Sequence, residues 1–511
     1  MNAQIWIVDF GSQYTQLIAR IYRELGFKSE ILTIEQSFEL LKSSEPGLLI
    51  LSGGPQSVFE DSTDYSAYFS NKFPVLGICY GMQLMAQFFG GKVHKGIIGE
   101  YGKSYIHDLE NTFNLGEKFI TWMSHSDHVS ECPKGFNIFL KSENDLIAGI
   151  KHCSQNYWGL QFHPEVIHTV KGKEILLHFV DEIGLKSNWD NKEILQNCLD
   201  EVSGIGDEYV LCAFSGGVDS LVAASIAHKE LCDKLYCFFV DNGLLRPQDY
   251  KHIEVLKKQS HLNIETIDAK EIFLNKLNSI SEPEEKRKII GATFIEVFDQ
   301  KVKEFERDRG IKFTYLLQGT LYPDIIESHS PHLKGGKSVT IKSHHNVGGL
   351  PEKMNLKLLE PLKSLFKDEV RKIGTFLGLD HSWLYRHPFP GPGLGIRILG
   401  AINAAKIEQV QKSDQILLEE LLESGYYNKC WQSLTVHIPQ KTVGVKGDAR
   451  AYEEVICVRI VGSRDGMTAT WSHVPYDVLD RISSRITNEV SGITRVVYDI
   501  TSKPPGTIEW E

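Results

Sequence analysis

The sequence predicts an α/β protein, with two parallel-sheet units in tandem and a smaller α+β unit behind them. Three observations predict this. Short apolar runs of strand type alternate with helically spaced apolar residues from the N-terminus onward. Two of those runs end in glycine turns that open directly into helices, at Gly77-Ile78-Cys79-Tyr80-Gly81 and at Ser215-Gly216-Gly217-Val218-Asp219-Ser220. A stiff connector, His387-Pro388-Phe389-Pro390-Gly391-Pro392-Gly393-Leu394-Gly395, breaks both helix and strand, and the residues beyond it read as two helices against three strands.

Residues 1–187 are expected to form the first unit. Gln4–Asp9 is a strand. Tyr14, Leu17, Ile18, Ile21, Tyr22 and Leu25 then fall at helical spacing until Gly26 ends the helix. Ile31–Leu32, Leu48–Leu51 and Phe73–Ile78 add strands of a mostly parallel sheet. The turn after Phe73–Ile78 is GxCxG, the thiol form of the nucleophile elbow, and it places Cys79 on a sharp bend at the start of a helix whose dipole favours thiolate. Ser52-Gly53-Gly54-Pro55, at another strand end, can offer a backbone N–H from Gly53 opposite that of Tyr80, which together make an oxyanion hole. Tyr157–Phe162 ends in His163-Pro164-Glu165, where positions i and i+2 project to one side, so Glu165 can orient His163 as the base toward Cys79. Ligands bind outside the carboxyl ends of strands in such sheets, where all these residues fall. Gly184 to about Asn197 is polar and reads as a linker.

Those residues resemble a class I, triad-type glutamine amidotransferase over nearly all of residues 1–187, which implies a flavodoxin-like domain. The resemblance implies that Cys79 attacks the glutamine amide, forms a glutamyl thioester and frees ammonia.

The second unit, residues 188–386, is organised around Tyr209–Ser220. An apolar strand, a tight double-glycine turn and a helix start bring backbone N–H groups and the hydroxyls of Ser215 and Ser220 to one phosphate-sized cradle. It is not a Walker A loop, because no lysine occupies the required place. SGGVDS resembles the PP-loop of ATP pyrophosphatases, which implies a Rossmann-like parallel sheet and ATP binding at Ser215, Gly216, Gly217, Val218, Asp219 and Ser220. Leu235–Val240 is a strand ending in Asp241-Asn242-Gly243, either a ribose or metal contact or an ordinary turn. Ile264–Ile267 and Tyr315–Leu317 add strands. The block Glu282–Ile290 reads as a dipole-matched helix start, with Arg287 open to either a solvated or a substrate-facing role. Ser343–Gly349, with His344 and His345, reads as either a substrate loop or an ordinary loop and not a metal site, since adjacent histidines chelate poorly and no further ligand has zinc spacing.

In the third unit, residues 387–511, Asn403–Glu423 and Pro475–Val490 are helices, and Gln432–Ile438, Val455–Val461 and Arg495–Ile500 are strands. A sheet of this size often leaves an apolar face for a partner. The end, Ser502-Lys503-Pro504-Pro505-Gly506-Thr507-Ile508-Glu509-Trp510-Glu511, combines fixed prolines with a cation and carboxylates and reads as ordered.

With both loops, the connector and this end in order, the whole chain is similar to the glutamine-hydrolysing GMP synthase family. That resemblance implies conversion of XMP, ATP, glutamine and water to GMP, AMP, pyrophosphate and glutamate through an adenylyl-XMP. It implies that Arg287, Lys503, Ile508 and Glu509 hold XMP, that Asp219 binds Mg²⁺, and that the last unit makes a homodimer.

Composition agrees. A chain of 511 residues suits about three domains. With 42% apolar and 24% charged residues each can bury a core, which argues against disorder. A net charge of −11 argues against a nucleic-acid-coating surface. The nine cysteines include no CxxC pair, so neither a zinc ribbon nor a disulfide framework is expected and the chain reads as cytoplasmic with reduced thiols. The N-terminus lacks a basic start, and no run of eighteen apolar residues suggests a membrane span.

Overall fold

The computed structural model describes residues 4–96, 99–329, 356–463 and 468–511, with the backbone alone over 326–329. The Ser343–Gly349 loop lies outside the described residues. Two compact units are present, residues 1–193 and residues 194–511.

The first unit is built on a nine-stranded sheet. Its strands are β1 (Ile5–Val8), β2 (Ser29–Leu32), β3 (Leu48–Leu51), β4 (Val75–Ile78), β6 (Glu100–Asp108), β7 (Lys118–His125), β9 (Phe136–Ser142), β10 (Ile147–His152) and β11 (Tyr157–Leu160). They lie in the order β2-β1-β3-β4-β11-β10-β9-β6-β7, and β5 (Lys92–His94) pairs with β8 (His128–Glu131) beside them. The neighbours from β2 to β11 are parallel, and those from β11 to β7 are antiparallel. Burial explains the division. β1, β3, β4 and β11 are buried at every residue and read as continuous apolar runs, whereas β7 alternates buried and more exposed positions along its length. The sheet is therefore mixed, with its parallel half holding the strands read from sequence. The expected linker differs at its end. Helix Asn191–Ser203 begins inside it, where the Glu193 N–H donates to Asp190 Oδ1 at 2.9 Å as a cap.

The second unit holds two sheets. β12 (Tyr209–Ala213), β13 (Leu235–Asp241), β14 (Ile264–Asp268), β15 (Phe313–Leu317) and β16 (Lys357–Leu359) form a fully parallel sheet in the order β14-β13-β12-β15-β16. β12 is central and feeds helix Val218–Leu231 through the glycine turn. β17 (Gln432–Lys446), β18 (Ala449–Gly462), β19 (Thr470–Trp471) and β20 (Ile493–Tyr498) form a mixed sheet, with β17 and β19 antiparallel to β18 and β20 parallel to it. Helices Ala404–Glu423 and Tyr476–Glu489 cover it, and Leu417, Leu421, Ile482 and Ile486 pack on Ile456, Val458 and Ile460. The connector is not a free spacer. Leu394, Ile398 and Ile402 lie in the same buried cluster as Leu211, Phe238 and Phe298 of the parallel-sheet layer, so apolar burial ties the two sheets into one unit. Among the described residues no helix is long and apolar enough to cross a membrane.

Candidate active site

At the end of β4 the chain turns so sharply that Cys79 sits at φ 53°, a left-handed conformation rare for a residue with a side chain. The flanking glycines make this possible. A Cβ on Gly81 would lie 2.3 Å from the Leu51 carbonyl oxygen, and one on Gly77 would lie 2.5 Å from that of Gly81. Helix Tyr80–Phe88 starts immediately after, so the Tyr80 N–H belongs to the first turn, where helix donors have no carbonyl of their own. The Gly81 N–H donates to the Ser52 carbonyl at 3.2 Å, which ties the elbow to the end of β3. The Ser52 hydroxyl donates to the Gly53 carbonyl at 2.8 Å and accepts from the Phe10 N–H at 3.0 Å, fixing the Gly53 peptide. A Cβ on Gly53 would stand 3.0 Å from His163 Cε1 and 3.6 Å from Cys79 Cβ. Gly53 and Tyr80 thus flank Cys79 and His163.

His163 and Glu165 follow β11, the strand beside β4. Nδ1 of His163 lies 2.7 Å from Glu165 Oε1, and both side chains are buried. The ring meets Tyr14 edge-on at 5.0 Å. Burial disfavours the imidazolium, but the Glu165 carboxylate and the Cys79 sulfur outweigh it and hold His163 well above its ordinary proton affinity. A charged imidazole beside sulfur stabilises thiolate. Gln161 Nε2 also donates to Cys79 Sγ, at 3.7 Å. Gln161 escapes the motif reading, although its i−2 relation to His163 is a usable signal.

The second constellation surrounds β12. Gly216 is at φ 73°, and the Ser215 and Ser220 hydroxyls lie 3.0 Å apart across the loop. The Gly217 N–H donates to Ser215 Oγ at 3.3 Å, and Gly217, Val218 and Asp219 lead into the helix that starts at Val218. The Lys367 ammonium sits 3.2 Å from Asp219 Oδ2. Asp219 Oδ1 is buried and has no hydrogen-bond partner among the described residues. Asp241, by contrast, is engaged. Oδ1 accepts from the Gly243 N–H at 3.0 Å and from Tyr250 at 2.9 Å, while Lys270 lies 3.0 Å from Oδ2, so the Asp-Asn-Gly segment is a turn.

The chain end docks on the second unit. Glu509 receives two hydrogen bonds from the Arg397 guanidinium, at 3.1 and 2.9 Å, and one from Gln432 at 2.7 Å. Arg459, buried in β18, donates to the carbonyls of Thr501, Thr507 and Ile508 at 2.7–2.9 Å. Arg287 reaches the Glu511 carbonyl, and Lys286 joins the Ile398 carbonyl to the Glu511 carboxylate. Lys503 pairs through its backbone with Ala469. Arg287, Ile508 and Glu509 therefore share one corner of the fold. Arg397, which ends the HPFPGPGLGIR connector, holds that corner in place together with Gln432 and Arg459, which carry no local sequence signal. All nine cysteines are free thiols. Among the described residues no group of three or more His, Cys, Asp and Glu side chains could hold a metal by itself.

Comparison with known proteins covers both units. Residues 6–183 match the model for glutamine amidotransferase class-I, and residues 419–510 match that for the GMP synthase C terminal domain. The chain is 48% identical over 514 residues to a glutamine-hydrolyzing GMP synthase of Aquifex aeolicus, covering 99% of each chain. It is 50% identical over 523 residues to one of Campylobacter lari, covering 100% of each. A solved structure from Thermoplasma acidophilum, described as that of a putative GMP synthase subunit, is 30% identical and covers 36% of this chain and 96% of its own, at a TM-score of 0.33. On the full-length likeness to the two synthases, the chain belongs to the glutamine-hydrolysing GMP synthase family.

Proposed function

We propose that this chain makes GMP from XMP with two reaction centres, one liberating ammonia from glutamine and the other activating XMP with ATP. The observation that carries the reading is that a buried Cys79–His163–Glu165 set and a Ser215–Ser220 phosphate cradle stand on one chain that matches such enzymes from end to end. The functional segments are residues 1–187 for ammonia release, 188–386 for ATP use and 387–511 for XMP and assembly.

The Cys79 thiolate attacks the glutamine amide carbon. Gly53 and Tyr80 N–H groups receive the developing oxyanion, and His163 gives its proton to the departing ammonia. Water then cleaves the thioester to glutamate, with His163 as base and Glu165 keeping its tautomer. At the second centre the O2 of XMP attacks the α-phosphorus of ATP. Pyrophosphate leaves into the Ser215–Ser220 donors, and neutral ammonia displaces AMP from the activated carbon. Release away from bulk water keeps that ammonia unprotonated.

Asp219 suits Mg²⁺ because its Oδ1 is buried and unpartnered among the described residues, and magnesium is commonly held by one or two carboxylates plus substrate phosphates. Bound there, the ion offsets the charge of the leaving pyrophosphate. Arg287, Lys503, Ile508 and Glu509 hold XMP, with Glu509 positioned by Arg397 and Gln432. A homodimer fits the exposed apolar residues Val443, Val445 and Tyr452 on the β17–β18 hairpin. Nine free thiols suit the cytoplasm. Incubation with XMP, Mg·ATP and glutamine should yield GMP, AMP and pyrophosphate. Formation of ADP and orthophosphate instead would overturn the reading.

A further inference from the structure

Gln432 and Ser433 are neighbours in β17 and point to opposite faces of the sheet. Gln432 faces Glu509 and the docked chain end, whereas the Ser433 hydroxyl lies 3.2 Å from His387 Nδ1. On the Ser433 side opens a cleft of about 490 Å³ that neither reaction centre uses. Arg246, Lys251 and Arg386 line it, with Asp414, His252 and Trp383.

The charges there do not balance. Asp249 accepts from Arg246 Nε at 2.8 Å and from Arg386 Nη2 at 2.6 Å, so one carboxylate serves two guanidiniums. Asp414 lies 3.6 Å from Arg246, and Arg397, equally near, has Glu509 as its own carboxylate, so the cleft's cations Arg246, Arg386 and Lys251 exceed its carboxylates Asp249 and Asp414 by one. Burial with incomplete compensation holds Arg386 below its ordinary range, and burial plus the Arg386 charge pushes His252 down to about 4. A buried guanidinium that shares its one carboxylate, as Arg386 does, is completed by an added anion. The volume suits a small ligand, and the stacked rings of His381 and Tyr385, 4.2 Å apart, offer a flat aromatic surface at the rim. The cleft also touches the ATP machinery. His252 lines it and lies 3.2 Å from the Gly216 carbonyl oxygen, and a Cβ on Gly216 would meet the Ile253 side chain at 2.5 Å.

We propose that the cleft binds a small phosphate-bearing anion on Arg246, Lys251 and Arg386, and that His252 relays its occupancy to the phosphate loop. Helix Pro247–Gln259 carries both Lys251 and His252, so an anion pulling on one moves the other against Gly216.

The test titrates inorganic phosphate into the full chain with XMP and a non-hydrolysable ATP analogue already bound, so that the substrate sites are filled. One further saturable phosphate is expected. Its Kd should rise about tenfold in Arg386→Gln and in Lys251→Glu, the usual loss for a charged hydrogen bond. Lys251 is exposed, so that variant keeps its fold. A parallel titration with GMP separates the sources, since tighter binding than phosphate identifies a nucleotide and equal binding identifies the free ion. The relay predicts that phosphate changes the KM for ATP in the wild type and not in Lys251→Glu. No saturable binding, or a Kd and ATP response alike in wild type and both variants, overturns the proposal. GMP formation measured on the same samples keeps this outcome separate from failure of the assigned reaction.

Discussion

At the Cys79 centre the acting side chains are held by one another. His163 is gripped by Glu165 at 2.7 Å, Gln161 reaches the sulfur at 3.7 Å, and the elbow is tied to Ser52. Around β12 the arrangement is the reverse. Among the described residues Asp219 keeps one buried oxygen unpartnered, and the hydroxyls of Ser215 and Ser220 have mainly each other and the loop backbone to bond. The first centre is complete as protein, as nucleophilic catalysis requires of its base and orienting group. On the proposed reading the second is completed by the phosphates and ion of its substrate, because phosphoryl chemistry depends on positioning charge rather than on a protein nucleophile.

The largest effect should come from removing the nucleophile of the closed centre. Cys79→Ala is expected to cut glutamine-driven GMP formation by about 10⁴-fold or more, the scale seen when a covalent nucleophile is lost. Synthesis from added ammonium should stay near wild type. Parallel loss of both activities would show that the two centres are one, and the comparison would break.

Asp219→Asn probes the open centre, and here both nitrogen sources should fail together, by about 10²- to 10³-fold. Raising the magnesium concentration should recover part of the rate if the proposed ligand to the ion has been weakened. Unchanged turnover with ammonium would leave the unpartnered oxygen without a role in the chemistry.

The same contrast explains which features are legible in the sequence. GxCxG, His-Pro-Glu and SGGVDS each span a few residues, because a sharp turn at a strand end needs its glycines and acting groups close together in sequence. The corner that holds the chain end is different. Arg397, the last residue of the HPFPGPGLGIR connector, meets Glu509 across 112 positions and Arg459 meets Ile508 across 49, and nothing local points to either partner. Lys367 reaches Asp219 across 148 positions in the same silence. The antiparallel strands β6 and β7 escape a reading by pattern because their half-buried alternation is a weaker signal than the continuous runs of β1 and β3. The connector reads as a spacer by composition, yet its few apolar residues are enough to anchor it in the core.

That long-range corner yields a smaller, more selective effect. Glu509→Gln keeps the shape of the carboxylate and leaves the buried Arg397 short of its main counter-charge. A loss of about 1–3 kcal/mol in the ordering of the chain end should raise the KM for XMP roughly 5- to 150-fold. The KM for ATP should move much less, and equal changes in the two would make the end a structural brace rather than part of the nucleotide site.

The finest test of the closed centre is a pH profile. The Glu165 carboxylate helps hold the His163 imidazolium at a pH above its ordinary range. In Glu165→Gln that support is gone, so the ring loses its proton at lower pH, and the alkaline limb of the glutaminase profile should move toward neutrality. The ring itself should stay in place, because Tyr14 still meets it at 5.0 Å and Thr169 still donates to the His163 carbonyl at 2.6 Å. The loss is one of charge rather than position, so the rate on the acidic side of the limb should fall by only about tenfold. Ammonium-driven synthesis, measured across the same pH range, should keep its wild-type profile, because the open centre contains neither residue. A limb that stays fixed while the rate collapses would mean that Glu165 aims the ring instead of charging it.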